Sequence, residues 1–233
     1  MRKKNFQEII KKLQKRIGYT FGDAELLEVS LTHPSISNED KQLRENNQRM
    51  EFLGDAVLGL VLADELYECY PEEREGFLGQ SRSSLVRGKS LAKIARKLRI
   101  QEAILFSTAE ERSGGRKKDS NLEDALESLV GAIFLDSDYP TVKRIILKWL
   151  GNYQRNLEKR VATDNPKGNL QEAVQATGEH GIEYEILQAK GPDHLKKFKV
   201  AVYINGKRSG IGTGNSKKKA EEMAAEKALR RFK

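Results

Sequence analysis

Four carboxylates lie in two segments of the chain that are otherwise apolar. Glu51 and Asp55 are four residues apart in one segment, and Asp124 and Glu127 are three residues apart in the other. These spacings place each pair on one face of a helix. Burying a carboxylate is costly unless a cation, hydrogen bonds or a metal ion offsets the lost hydration. We therefore expect a cationic group, a hydrogen-bonding group or a metal ion against both pairs.

A divalent metal ion is one candidate for that group. Four oxygen ligands with no histidine or cysteine nearby are the set that Mg²⁺ prefers, and Mn²⁺ can substitute for it. Such an ion can activate a water molecule and stabilise the leaving oxygen in phosphodiester hydrolysis. The alternative is a pair of salt bridges, with Arg49 or Arg82 as partner. Two helices of the same kind in one chain favour the metal site.

We expect helices to position these side chains. Apolar residues recur at helical spacing through the first 165 residues, for example over residues 6–17, 91–98 and 142–157. The segment 50–63 is apolar around its whole circumference, which predicts a helix buried inside its domain. On periodicity alone, Phe52 is then a core residue.

The chain changes its pattern after a polar stretch around Asp164–Pro166. We place a linker at residues 158–165, between a domain at 1–157 and a second domain at 166–233. The second domain alternates apolar and polar residues in two strands joined by Asn205-Gly206, a dipeptide typical of a tight hairpin. Its predicted order is α-β-β-β-α. The last helix begins near Ser216 and is expected to bury the apolar residues Ala220, Met223, Ala224, Ala228 and Leu229.

Most of the positive charge lies in this second domain. The whole chain has a net charge of +8, and residues 166–233 contribute +6 of it through 14 basic and 8 acidic residues. Such a domain suggests a polyanion, most often a nucleic acid. Lys217, Lys218 and Lys219 fall in the first turn of the last helix, where the helix dipole disfavours cations. They favour phosphate binding together with the helix N-terminus.

Composition excludes several other classes of protein. With 38% hydrophobic and 33% charged residues, the chain can bury a core and is neither disordered nor fibrous. The apolar run 56–63 is too short to span a membrane, and the N-terminus does not read as a signal segment. Cys69 is the single cysteine, which fits a reducing compartment. We expect a cytoplasmic protein with no membrane partner.

Several segments of the sequence indicate a family. The segment Asn47–Leu58 closely resembles the signature helix of bacterial ribonuclease III, and the similarity continues through Glu75-Gly76, Ser83–Val86, Gly114-Gly115 and Asp124–Glu127. This resemblance implies an all-α catalytic domain that hydrolyses double-stranded RNA.

The resemblance also implies roles for individual residues. The positions that match Glu51, Asp55, Asp124 and Glu127 bind the divalent metals in that family, and those that match Asp55 and Glu127 are the ones called catalytic. The residue that matches Phe52 inserts into a pocket of the partner subunit. A homodimer with two catalytic sites in one RNA-binding cleft is therefore implied.

The second domain resembles the double-stranded RNA-binding domain, through the segment Gly212–Glu221 and the α-β-β-β-α order. In that domain the first helix and the loop between the first two strands reach the minor groove. The matching residues are Gln171, Glu172 and the segment Gly191–His194, which contains His194. Recognition of this kind reads the shape of the A-form duplex rather than its sequence.

Two further positions are usually acidic in the family. The family usually has Glu where this chain has Gln48, one turn before Glu51. The amide keeps hydrogen bonding but loses the charge, which affects substrate preference or turnover rather than the metal site. Glu75 matches a family acidic position, but a solvated surface residue is an equally good interpretation.

The sequence thus predicts a homodimeric, Mg²⁺-dependent endoribonuclease. The products implied by the resemblance are 5′-phosphate and 3′-hydroxyl ends, and the implied role is processing of rRNA and mRNA. One alternative is a catalytically silent scaffold that binds double-stranded RNA, but such a scaffold need not retain four carboxylates. A nuclease directed at DNA is disfavoured by the RNA-type second domain.

Overall fold

The computed structural model describes residues 3–39, 45–154, 157, 165–178, 181–192 and 196–230. Contacts divide the chain into two compact units, Met1–Arg155 and Asn156–Lys233. The first unit is helical, and the described residues of the second unit from position 165 onward combine two helices with a three-stranded sheet, which confirms the predicted fold class. The linker predicted at residues 158–165 lies outside the described residues except for Asn165. The domain limits therefore stay predictions.

The first unit has nine α-helices among its described residues, with 3₁₀ turns at Ile100–Glu102 and Gly115–Lys117. The helices are α1 (Lys3–Ile17), α2 (Ala24–Ser30), α3 (Pro34–Glu39), α4 (Gln48–Cys69), α5 (Glu75–Leu85), α6 (Gly88–Leu98), α7 (Thr108–Arg112), α8 (Asp119–Asp136) and α9 (Tyr139–Leu150).

The bounds of α9 follow from local sequence signals. Asp138 caps the helix, because its carboxylate accepts a hydrogen bond from the backbone N–H of Thr141 at 2.9 Å. The helix ends before Gly151, whose φ of +61° lies in the region that favours glycine. It is therefore shorter than the amphipathic segment predicted over residues 142–157.

The core of the first unit is built around α8. Buried leucine, isoleucine, valine and alanine side chains of α8 pack against those of α2, α4, α6 and α9. The α4 and α8 backbones touch where they cross. A Cβ atom added at Gly54 would collide with the carbonyl oxygen of Glu127, and one added at Gly131 would collide with that of Met50. The two glycines allow this close crossing.

The prediction that α4 is buried around its whole circumference is wrong for the single chain. Val57, Leu58 and Val61 are buried. Another stripe of the helix faces outward, and its large apolar side chains are Phe52, exposed to 81%, Leu60 and Tyr67. Hydropathy does not distinguish a face that packs inside its own domain from a face that is left at the surface. Phe52 is not a core residue of this chain.

The second unit has the predicted α-β-β-β-α order. It contains α10 (Pro166–Ala176), β1 (Ile182–Lys190), β2 (Lys197–Ile204), β3 (Lys207–Gly214) and α11 (Lys217–Leu229). The strands form an antiparallel sheet in the order β1-β2-β3, and Asn205 and Gly206 turn between β2 and β3 with φ of +49° and +75°. This confirms the predicted hairpin.

The last helix packs closely on the sheet. Ala220, Ala224 and Ala228 are fully buried, and a Cβ atom at Gly212 would collide with the backbone of Ala220. Met223, which we expected to be buried, is 37% exposed instead. The close approach of helix and sheet leaves room for alanine on the buried face, and the longer methionine lies at its edge.

Candidate active site

The crossing of α4 and α8 brings three of the four predicted carboxylates together. One oxygen each of Glu51, Asp124 and Glu127 lies within 4.8 Å of the others. Glu51 precedes Gly54 by one helical turn, and Glu127 precedes Gly131 by one turn. Each carboxylate therefore projects beside the point of closest backbone contact. The site is as rigid as the helix crossing that holds it.

The carboxylates of this cluster repel one another in a partly dry environment. Glu127 is 8% exposed, and burial together with the charges of neighbouring carboxylates raises its pKa to about 8. Burial and the charges of Asp124, Glu123 and Asp55 raise the pKa of Glu51. Burial also raises the pKa of Asp124, although His33 acts in the opposite direction. Such a cluster is strained unless a cation neutralises it.

No lysine or arginine of the described residues forms an ion pair with these three side chains. The alternative of salt bridges through Arg49 or Arg82 therefore finds no support. Three oxygen donors close together, without a basic partner, fit a divalent metal ion. Mg²⁺ or Mn²⁺ suits such oxygen ligands.

Asp55 differs from the other three predicted ligands. It lies one turn after Glu51 on α4, as expected, but it is exposed rather than buried and does not belong to the tight cluster. After burial, its charge is nevertheless the strongest influence on Glu127. It therefore lies at the open side of the cluster. Its assignment as a metal ligand and catalytic residue stays a prediction.

Sequence reasoning missed a fifth carboxylate, that of Glu123. It is half-buried on α8 and acts on the pKa values of both Glu51 and Glu127 through its charge. Its carboxylate lies against Gly88 at the start of α6, where a Cβ atom would collide with it. The signal in the sequence was its position next to Asp124, but only the packing of α6 on α8 reveals which way it faces.

Phe52 lines a pocket of the first unit. The other apolar residues that line this pocket are Val29, Met50, Leu53 and Leu135. Gln48 also lines the pocket and is exposed, in the first turn of α4. Glu75, the first residue of α5, is exposed as well. The roles discussed for Gln48 and Glu75 stay predictions.

The predicted RNA-binding residues lie on both helices of the second unit. Lys217 and Lys218 are exposed in the first turn of α11, which Ser216 caps by accepting a hydrogen bond from the backbone N–H of Lys219 at 3.2 Å. Lys217 also lies 4.0 Å from the carboxylate of Glu221. Two further predicted residues, Gln171 and Glu172, are exposed on α10. His194 lies outside the described residues.

Each of the two units matches a known protein family. Residues 23–153 match the family model described as ribonuclease-III-like, and residues 166–231 match the double-stranded RNA binding motif. The chain belongs to the ribonuclease III family. It is therefore an endoribonuclease, a hydrolase that cuts an RNA strand at internal positions. Its second unit binds double-stranded RNA.

Relatives in this family resemble the chain over nearly its whole length. Ribonuclease 3 of Psychromonas ingrahamii is 39% identical over 96% of this chain and 95% of its own. Ribonuclease 3 of Heliobacterium modesticaldum is 44% identical over 94% of each chain. The crystal structure of the nuclease domain of ribonuclease III from Campylobacter jejuni is 44% identical, with a TM-score of 0.56, over 60% of this chain and 92% of that domain.

A second structure of the Campylobacter jejuni nuclease domain has a TM-score of 0.57. In that nuclease domain, a region involved in dimer formation shows structural flexibility. This second structure is 44% identical and covers 60% of this chain and 94% of that domain. In the part of the chain that the structure describes, no helix is long and apolar enough to cross a membrane.

Proposed function

We propose that this chain is a Mg²⁺-dependent endoribonuclease that hydrolyses double-stranded RNA to 5′-phosphate and 3′-hydroxyl ends. The observation that supports metal dependence is the cluster of Glu51, Asp124 and Glu127, whose oxygens lie within 4.8 Å of one another. In a ribonuclease III-family chain with an RNA-binding unit, a cluster of this kind has a direct use. Mn²⁺ has the same preference for oxygen ligands and can substitute for Mg²⁺.

Each carboxylate has a distinct task in this proposal. Glu51, Asp124 and Glu127 bind the ion, and Asp55, at the open side of the cluster, completes the site towards the RNA. Asp55 and Glu127 are the catalytic pair. When bound, the metal activates water and stabilises the charge on the leaving oxygen. The rigid contact of α4 with α8 at Gly54 keeps the ligands in place between reactions.

RNA binding is assigned to the predicted residues of the second unit. Lys217 and Lys218 supply positive charge at the N-terminus of α11, where the backbone N–H groups also attract phosphate. In this proposal, Gln171, Glu172 and His194 contact the minor groove. A domain that contacts the backbone and the 2′-hydroxyl groups binds many duplex sequences.

The enzyme is proposed to act as a homodimer. An aromatic ring exposed to 81%, on an apolar stripe of α4 and at a partly apolar pocket, suits a two-fold interface in which each copy offers both features. The region of the Campylobacter jejuni nuclease domain involved in dimer formation gives a precedent in a relative. Phe52 is then the anchor and the pocket beside it the socket.

The biological role proposed is processing of rRNA and mRNA, which follows from the family. A cytoplasmic location stays a prediction that rests on the single cysteine. The catalytically silent scaffold is disfavoured because it has no need for a partly buried carboxylate cluster. A nuclease directed at DNA is disfavoured by the match of residues 166–231 to the double-stranded RNA binding motif.

Glu127→Gln tests the proposal, because the amide keeps the size of the side chain but removes the charge that binds metal. We expect cleavage of an RNA duplex to be abolished while affinity for the duplex stays close to that of the wild type. Glu8→Gln, which removes an exposed carboxylate of α1, serves as control and should cleave normally. Wild-type cleavage in the presence of excess chelator, or substantial Mg²⁺-dependent cleavage by Glu127→Gln, would contradict the proposal.

A further inference from the structure

A partly buried carboxylate lies one turn after the lysines at the start of α11. The side chain of Glu221 is only 12% exposed, and it follows Lys217 by four residues on this helix. A negative charge at this place repels the phosphate groups that Lys217 and Lys218 are proposed to bind. The function proposed above does not use Glu221, and its charge opposes that function unless a cation neutralises it.

Lys167, in the first turn of α10, is the cation that pairs with Glu221. Its Nζ donates a hydrogen bond to Glu221 Oε2 at 2.7 Å. The same Nζ lies 4.4 Å from the centre of the Tyr184 ring on β1, a distance at which a cation is attracted to the face of an aromatic ring. Two separate contacts therefore hold the ammonium group of Lys167 against Glu221.

The fold places Lys167 there without help from the ion pair. Asn165 caps α10 by accepting a hydrogen bond from the backbone N–H of Gly168 at 3.1 Å, and Pro166 is buried at the start of the helix. Further along, Leu170 and other apolar residues of α10 belong to the same core as the buried alanines of α11. The core thus keeps the two helices together, which leaves charge neutralisation as the distinct task of Lys167.

Lys217 is the second cation near Glu221. Its Nζ lies 4.0 Å from Glu221 Oε1, which is beyond hydrogen-bond distance, and its side chain is 61% exposed. The ammonium group therefore keeps its hydrogen-bond donors for other acceptors. A lysine and a glutamate four residues apart on a helix nevertheless attract each other. If Lys167 did not neutralise Glu221, Lys217 would be drawn onto it.

We propose that Lys167 is a positioning residue for RNA binding, which neutralises Glu221 and thereby keeps Lys217 available for a phosphate group of the duplex. The inference rests on the proposed function, because it assumes that Lys217 contacts phosphate. Without Lys167, one phosphate contact would be lost to Glu221. The carboxylate would also repel the RNA backbone next to the contacts that remain.

Titration of a labelled RNA duplex with the full chain, in excess chelator and at several salt concentrations, tests this inference. Lys167→Met keeps the length of the side chain but removes its charge. It should weaken duplex binding about 5- to 10-fold at physiological salt and reduce the slope of log K against log salt by about one unit, as for one lost phosphate contact. Lys167→Arg keeps the charge and should bind as the wild type does.

The double variant Lys167→Met with Glu221→Gln is the decisive measurement. Because no carboxylate remains to hold Lys217, this variant should recover the duplex affinity and the salt slope of the wild type. An ion pair that only clamps α10 to α11 predicts the opposite, since the double variant lacks the clamp as well. If the double variant binds the duplex as weakly as Lys167→Met does, the inference is overturned.

A matched ion pair at the other end of α11 supplies the control. Arg230 lies 2.9 Å from Glu226, also four residues apart, and Arg230→Met leaves that carboxylate unpaired away from Lys217. Duplex affinity and salt slope should not change in this variant. In cleavage assays with Mg²⁺, Lys167→Met should raise KM and leave kcat unchanged, because it alters RNA binding and no metal ligand.

The remaining outcomes are also decisive. Duplex binding by Lys167→Met equal to that of the wild type overturns the inference. If Lys167→Met does not fold, Glu221→Gln alone decides: affinity equal to or above the wild type supports the inference, and weaker binding overturns it. Lys217→Ala in the same titration separates the inference from the proposed function. If Lys217→Ala binds as the wild type does, with the same salt slope, the assignment of Lys217 to phosphate fails, and the inference with it.

Discussion

Glu127 has the most strongly altered carboxyl group of the acidic cluster. It is 8% exposed and surrounded by the charges of Asp55, Glu123, Glu51 and Asp124, and its pKa is raised by burial and by these charges to about 8. Without a metal ion, this side chain therefore keeps its proton at neutral pH. A divalent ion must displace that proton when it binds, so metal affinity should rise with pH up to about 8.

The same group predicts how the stability of the metal-free protein depends on pH. The pKa of Glu127 rises from its ordinary value of 4.5 to about 8 on folding, so the folded state binds more protons than the unfolded state between these values. Stability must then fall as pH rises through this window. We expect urea unfolding of the metal-free wild type to show this decline, and Glu127→Gln to show a shallower one. Parallel slopes would contradict the prediction.

At the scale of elements, the crossing of α4 and α8 determines the geometry of the site. Both helices have a glycine at the contact, Gly54 on α4 and Gly131 on α8, and each touches the backbone of the other helix. The proposed ligands Glu51 and Glu127 lie within one turn of the contact. A change in the distance between the helices therefore changes the distance between the ligands.

Gly54→Ala should separate the two helices, because the added methyl group would collide with the carbonyl oxygen of Glu127. We expect a loss of about 1–3 kcal/mol in the free energy of unfolding, as for other overpacked cores, together with weaker Mn²⁺ binding. The control is Gly59→Ala on the same helix, where a Cβ atom meets no other atom within 4 Å. That variant should gain about 0.5–1 kcal/mol from its higher helix propensity. Equal effects of the two substitutions would show that the crossing is not tight.

The first turn of α11 is the element to which we assign phosphate binding. Replacing Lys217 and Lys218 by Ala should weaken binding to duplexes of any sequence and reduce the slope of log K against log salt by roughly one unit per lost phosphate contact. The control replaces Lys227 and Arg230, which lie at the other end of the helix. An unchanged salt slope in the Lys217 and Lys218 variant would make these lysines ordinary solvated residues.

At the scale of the whole molecule, the proposed dimer would couple assembly to catalysis through the outward stripe of α4. Phe52 follows Glu51 directly and precedes Asp55 by three residues, on one continuous helix. A contact made by Phe52 in a second copy would therefore act on the same helix that holds two of the predicted ligands. The position of the metal site then depends on the dimer.

Phe52→Ala should weaken the dimer by at least about 2 kcal/mol, the usual contribution of an aromatic anchor, which corresponds to a dissociation constant about 30-fold higher. Cleavage of long duplexes should fall, while helix content should not, because the ring is exposed in the single chain. Sedimentation equilibrium gives the dissociation constant. Leu187→Ala, at an exposed apolar residue of the second unit, is the control. A dimer of unchanged affinity would place the interface elsewhere.

Local patterns in the sequence determined several helices, one turn and the candidate carboxylates. Helical spacing predicted the helices that contain Glu51 and Glu127, because side chains three and four residues apart share a face in any helix. The turn at Asn205-Gly206 followed from backbone conformations that these two residues adopt readily. The carboxylates were conspicuous because burying a charge in an otherwise apolar helix is costly unless something offsets the cost. Resemblance to the ribonuclease III family added their roles.

The tertiary structure decided what each of these residues faces. Asp55 is exposed although its helix is apolar, and Phe52 points outward. Glu123 acts through its charge on the acidic cluster from a position that spacing did not single out. These outcomes depend on how closely two helices approach and on which face of each meets the other. Periodicity defines the faces of a helix but not their neighbours, because the neighbours come from segments distant in the chain, and their contacts form only when the helices pack.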